Sequence, residues 1–315
     1  MKSNIILVFL LFFYMNTFSQ SEKERDLENI IHQTQLEAKE FKSRVDLLQH
    51  NYKKIQDSLR NCLNPSKQNS TREIDGKFYA LLIAVQEYDQ ENYSDLTPKP
   101  MDDAKSLKEV LEDDYNFQVE ILPDPTKDRI LMVLESYQET VKTNDNLLIF
   151  YAGHGGYDKE LKDGFWCPKD ATGKYYKNVN NTDIRNLIKK INSRNTLLIA
   201  DACWSGSLSR SSSIIDTNNM FDIEKVRHYY NKKSRIYMSS GAMSTVPNTS
   251  IFLQNLVLEL KNNKDKYLFS STLFSRFELR CVVNTRKLDG DVVTPERKIL
   301  QGVNHDAGDF IFIKE

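Results

Sequence analysis

Apolar positions along the chain fall into three patterns. Ile5 to Phe13 is an unbroken apolar run. From Leu27 to Cys62, apolar positions recur in steps of four and three (Leu27, Ile31, Ala38, Phe41, Val45, Leu48, Tyr52, Ile55, Leu59, Cys62), with Thr34 interrupting the stripe. Beyond Lys77, short near-continuous apolar runs alternate with stretches of helical period. Runs of this kind read as strands buried on both faces. They predict strands over 78–85, 117–122, 146–152, 196–200 and 235–239. The 3.6-residue spacing predicts helices over 101–111, 127–141, 182–191 (with Thr182 as N-cap) and 251–260. Strands alternating with helices imply an α/β fold, a mostly parallel sheet covered on both faces. Ligand sites in such sheets lie past the carboxyl ends of the strands.

The two earlier patterns lie outside that fold. Lys2, the short apolar run and Thr17-Phe18-Ser19 as small-x-small describe a secretory signal over 1–19, cut before Gln20. The run is well short of the ~20 residues that cross a bilayer, so no membrane span is expected in the mature chain. An uncleaved anchor is the alternative. The expected destination is outside the cytoplasm, periplasmic or secreted. Residues 20–63 have the seam of a coiled coil through which the chain would self-associate (27–62), or of one long amphipathic helix or helical hairpin. Cys62 lies on that seam, placed for an interchain disulfide in an oxidising compartment. Residues 64–76 are polar, contain Pro65 and read as a linker. The body is 77–315.

Composition narrows the functional classes. The 315 residues are 40% hydrophobic and 28% charged, with 43 Lys+Arg against 44 Asp+Glu. That balance gives no reason to expect nucleic acid as a partner. Four cysteines exclude a disulfide-stapled scaffold.

Two predicted strands end in reactive side chains. One runs into Tyr151-Ala152-Gly153-His154-Gly155-Gly156, the other into Asp201-Ala202-Cys203-Trp204-Ser205-Gly206. A thiolate nucleophile needs a base and donors for the developing oxyanion. Cys203 as nucleophile, His154 as base and acid, and the backbone amides of Gly155 and Cys203 as donors supply them. Taken alone, a cysteine at a strand end is more often an apolar filler. A glycine-flanked histidine is as often a turn residue or a metal ligand. No further His or Cys stands at ligand spacing near either, so no metal site is assigned and no cofactor is required. Cys167 and Cys281 sit in apolar settings and read as packing.

These paired motifs resemble the caspase-like cysteine peptidases, in particular the bacterial metacaspase or orthocaspase type. Asp102-Asp103-Ala104, Pro168-Lys169-Asp170-Ala171, Ser239-Ser240-Gly241-Ala242 and Gly308-Asp309-Phe310-Ile311-Phe312 support the resemblance, which spans roughly 77–315. It implies a three-layer sandwich with a six-stranded, mostly parallel sheet and a Cys203–His154 dyad. It also implies cleavage after Arg, with Lys second. Asp201 stands two before the cysteine, where Asp-specific members have Gln, and Asp103 matches a second acidic pocket residue. Two carboxylates can hold a guanidinium by paired charge-assisted hydrogen bonds. Asp103 as a first-turn helix acid and Asp201 as a turn-orienting residue are the plainer readings.

Ala152, in place of the family's usual Ser, and Ser240 complete the expected substrate pocket. Trp204 replaces a frequent His beside the nucleophile. A calcium requirement, known in some members, is left unassigned, because the acids are scattered. The connector 207–234 carries Arg210, Lys225, Lys232 and Lys233, candidate self-processing sites for a basic-specific enzyme; a solvated surface loop is the plainer reading. Two other functions remain open: a non-catalytic adaptor working through the coiled coil, and a transpeptidase or ligase using the same dyad.

Overall fold

The computed structural model describes Lys42 and residues 74–202, 209–210, 223–241, 250–286 and 295–314. The expected signal, the seam from Leu27 to Cys62 and most of the linker lie outside the described residues, as does Cys203. The chain divides into two units, Met1–Thr71 and Arg72–Glu315, and the fold is that of the second.

In chain order the elements are β1 (Phe78–Ala84), α1 (Lys99–Tyr115), β2 (Phe117–Pro123), α2 (Lys127–Thr140), β3 (Asn146–Ala152), β4 (Gly155–Asp158), β5 (Asp163–Trp166), β6 (Val179–Asn180), α3 (Asn181–Lys190), β7 (Asn195–Asp201), β8 (Ser209–Arg210), α4 (Ile223–Tyr230), β9 (Ser234–Ser239), α5 (Ile251–Asn262), β10 (Tyr267–Phe269), α6 (Ser270–Arg286), β11 (Glu296–Leu300) and β12 (Ile311–Ile313). The central sheet runs β2-β1-β3-β7-β9-β11, with the two-residue β8 added beyond β11. β2, β1, β3, β7 and β9 are mutually parallel, and β11 runs antiparallel to β9. This is the expected α/β architecture, six strands between helices.

Side chains of one strand alternate between the two faces, and both faces are buried. Ala80, Leu82 and Ala84 of β1 join Leu148, Phe150, Leu197 and Ile199 in one core. Leu107, Val110 and Leu111 of α1, Phe252, Leu256 and Leu260 of α5, and Phe277 of α6 cover that core. Leu81 and Ile83 join Leu147, Ile149 and Leu198 in the other core, covered by Ile130, Val133 and Leu134 of α2 and Ile184 and Ile188 of α3. Among the described residues, no helix is long and apolar enough to cross a membrane.

Some sequence expectations shift. The helix read from Thr182 begins at Asn181, with Asn180 in the cap position. The Thr182 hydroxyl instead donates to buried Asp163 at 2.8 Å. The sixth strand of the main sheet is β11, whose Glu-Arg-Lys opening hid it, while Gly308–Phe312 leads into β12, which pairs with β10 in a separate two-stranded sheet. The connector 207–234 contains α4, which buries Val226 and Tyr230 at helical spacing. Buried Asp309 ties the C-terminal part together. It accepts from the Ser270 and Ser271 hydroxyls at the start of α6, from its neighbour's amide Phe310 N, and from the Arg297 guanidinium of β11 at 2.7 Å.

Candidate active site

Strand register assembles the site. Parallel pairing sets Ala84 beside Ala152, Ala152 beside Asp201, and Ala200 beside Ser239. The carboxyl ends of β1, β3, β7 and β9 therefore form one edge. His154 follows β3 by two residues, Asp201 closes β7, and Ser240 follows β9 directly. Cys203, two residues beyond Asp201, is outside the described residues.

His154 is held from four directions. Its backbone N–H donates to the Tyr88 hydroxyl at 2.8 Å, and its carbonyl accepts from the Tyr151 hydroxyl at 2.5 Å. Its Nε2 lies 2.8 Å from the Ser94 carbonyl. A carbonyl only accepts, so Nε2 carries a proton, and Nδ1 is the nitrogen that bears the lone pair in the neutral tautomer. The Tyr88 and Tyr93 rings cluster with the imidazole, their centroids 4.9 and 5.8 Å from it and 5.5 Å from each other. Tyr151 stacks on Trp166 at 4.4 Å and 1°, which fixes its phenol. Burial pushes both the Tyr88 and Tyr151 phenols up, so both stay protonated. Gly153 has no room for a side chain: a Cβ there would lie 2.8 Å from the Tyr151 hydroxyl and 3.0 Å from that of Tyr88.

Next to this loop is a cavity of about 360 Å³ whose walls include Asp103, Ala152, Gly153, Asp201 and Ser250. Burial, then the charge of Asp201, pushes the Asp103 carboxyl up to about 7, against the opposing pull of Lys99. Burial also raises the Asp201 carboxyl, and hydrogen bonds from Ser250 and Ser240 oppose the rise. Ser250 doubles as the N-cap of α5, accepting from Leu253 N at 3.0 Å. Expected pocket residues Asp103, Ala152 and Asp201 thus meet in one cavity; Ser240 does not line it and is linked to it through its hydrogen bond with Asp201.

The remaining expected residues are spread wider. Gly155 opens β4, opposite Trp166. Arg210 lies in β8, opposite Ile299. Lys225 is inside α4, and Lys232 and Lys233 lie between α4 and β9, where the Lys233 carbonyl accepts from Asp306 N at 2.8 Å. Cys167 and Cys281 are buried, and burial pushes the Cys281 thiol up to about 12. Among the described residues, no group of three or more His, Cys, Asp or Glu is placed to hold a metal ion. Sequence reasoning missed Tyr88, Tyr93 and Ser94, whose contacts to His154 come from a polar loop with no period.

No curated protein matches the chain by sequence. Among solved structures, the fold is similar to the crystal structure of caspase-1 from Spodoptera frugiperda. The TM-score is 0.51 at 14% identity, over 78% of this chain and 99% of that one. The family model for the caspase domain matches residues 77–281, and on that match the chain belongs to the caspase family of cysteine peptidases.

Proposed function

We propose that the chain is an exported cysteine endopeptidase that cleaves after Arg, and less readily after Lys, with Cys203 as nucleophile and His154 as base. The observation that carries the specificity is the meeting of Asp103 and Asp201 in one cavity beside the histidine loop. Two carboxylates facing one space suit a planar guanidinium, which offers paired donors to both. An ammonium would be held as a point charge, and an aspartate side chain would meet like charge.

The tautomer of His154 supports the chemical step. With Nε2 engaged by Ser94, Nδ1 accepts the thiol proton of Cys203. The thiolate adds to the scissile carbonyl carbon, and the oxyanion takes hydrogen bonds from the amides of Gly155 and Cys203. The imidazolium then protonates the departing amine as the C–N bond breaks, leaving a thioester. Water, deprotonated by the same Nδ1, hydrolyses it and restores the thiol. Capture of the thioester by an amine instead would make the enzyme a transpeptidase. Self-processing in the connector belongs to the same reading. Lys232 and Lys233, outside any helix or strand, would meet the active site with less unfolding than Lys225 in α4 or Arg210 in its ladder.

The test is turnover of fluorogenic peptides ending in Arg, Lys or Asp by residues 20–315, beside Cys203→Ala, with and without calcium. Cleavage after Arg that disappears in Cys203→Ala is the expected result. Cleavage only after Asp removes the pocket assignment and spares the nucleophile. No turnover under any condition returns the adaptor reading.

A further inference from the structure

A single loop, residues 86–98, serves both halves of the site. Tyr88, Tyr93 and Ser94 reach His154. The next three residues, Asp95, Leu96 and Thr97, line the cavity that holds Asp103 and Asp201. The loop is pinned at its base, where Gln86 N and Glu87 N donate to Asp124 at 2.7 and 3.0 Å and Leu96 N donates to Gln86 O at 2.8 Å. Asp95 ties it across the middle: its Oδ1 accepts the Tyr88 N–H at 2.9 Å.

We infer that Asp95 is a further specificity residue of the cavity and also positions His154, because the acidic residue that lines the cavity is the one whose carboxylate closes the Tyr88–Ser94 loop around the imidazole. The inference rests on the basic specificity proposed above for its first role and on the loop geometry alone for its second. Lys99, which lines the same cavity, is the one cation among the described lining residues, so among these the substrate's charge is met by three carboxylates against one ammonium. Asp95 is exposed at the rim, and exposed charges act weakly and are screened by salt. Its charge therefore tunes affinity modestly, while its hydrogen bond governs geometry, on which turnover depends steeply.

Two substitutions separate the roles. Asp95→Asn removes the charge and keeps an oxygen that accepts from Tyr88 N; Asp95→Ala removes both. On peptides ending in Arg or in neutral citrulline, the Arg-over-citrulline preference in kcat/KM is expected to fall about threefold in both variants at low salt. The kcat on the Arg peptide is expected to fall about tenfold in Asp95→Ala, with Asp95→Asn retaining most of it. An unaltered preference in Asp95→Asn overturns the specificity role, and equal kcat in the two variants overturns the positioning role. If wild type does not prefer basic residues at all, the proposed specificity fails, and the kcat comparison on whichever peptide is cleaved still decides the second role. Should no peptide turn over, calorimetric binding of a peptide ending in Arg to Cys203→Ala protein, with and without Asp95→Asn, reads the charge effect: about threefold weakening supports it and unaltered binding overturns it. In that protein the exchange rate of the Tyr88 amide hydrogen reads the tie: faster exchange in Asp95→Ala than in Asp95→Asn supports it, and equal rates overturn it.

Discussion

The Tyr88 hydroxyl accepts the backbone N–H of His154 at 2.8 Å, while the centroid of the same residue's ring lies 4.9 Å from that of the imidazole. One side chain thus fixes both the peptide and the ring of the histidine. Tyr88→Phe keeps the ring and removes the acceptor. The expected outcome is a loss in kcat of about tenfold, with KM little altered, because the peptide of the proposed base is left free to turn. Steady-state kinetics with full progress curves measures the split; a rise in KM alone would mean that the hydroxyl serves binding.

Affinity for basic substrates is expected to depend on pH through Asp103. Its carboxyl, raised to about 7, carries its charge above that pH and loses it below. A cation binds the charged form, so KM for an Arg peptide should fall as pH rises through 7. Between pH 6 and 8 the drop is about tenfold for one titrating group. Asp103→Asn should flatten the profile at its weak-binding end. The neutral citrulline peptide serves as the reference.

The same carboxyl costs stability when it is charged. A group whose folded pKa is about 7, against an ordinary 3.8, binds more protons folded than unfolded between those values. Its contribution therefore becomes less favourable as pH rises from about 4 to 7, and stays so above. Asp103→Asn is expected to melt a few degrees higher than wild type at pH 8, with the gap closing towards pH 4. Thermal melts across that range check it. A pocket that binds cations well is, on this account, one that the fold tolerates at a cost.

Asp309→Ala should be the most damaging of the single changes considered. The carboxylate is fully buried and joins the start of α6, the Arg297 guanidinium of β11 and the amide leading into β12. Removing one member of a buried, hydrogen-bonded ion pair costs about 3–5 kcal/mol. Urea unfolding should show a large drop in midpoint; a drop below about 1 kcal/mol would mean that the network relaxes around the loss.

What could be read from sequence follows from how each residue does its work. His154 and Asp201 stand at the ends of strongly apolar strands, so pattern alone placed them on one edge; Asp103 lies on a helix with a clear period, but only the family resemblance assigned it to the pocket. The core strands β1, β3 and β7 were legible for the same reason: seven consecutive residues, nearly all buried, leave little ambiguity. β11 was not legible, because four of its five residues are only partly buried and its charges mask the alternation. The loop 86–98 was opaque for another reason. Its contacts to His154 run through a hydroxyl, two tilted rings and a main-chain carbonyl, and no periodicity in side-chain polarity records those. The helix α4 was hidden by its short length and its basic residues, although Val226 and Tyr230 anchor it.

The order of the central sheet has a consequence for a protein cut in its connector. β9 begins at the last residue of that connector, yet it lies between β7 and β11, hydrogen-bonded to β7 from Asn195 to Ala200 and to β11 along its other edge. Scission anywhere in 207–233 would sever the covalent path and leave every one of those ladder bonds in place. The two fragments would travel as one particle through a sizing column and part only in denaturant. Nicking in this fold would change how freely the chain ends move, without dividing the molecule.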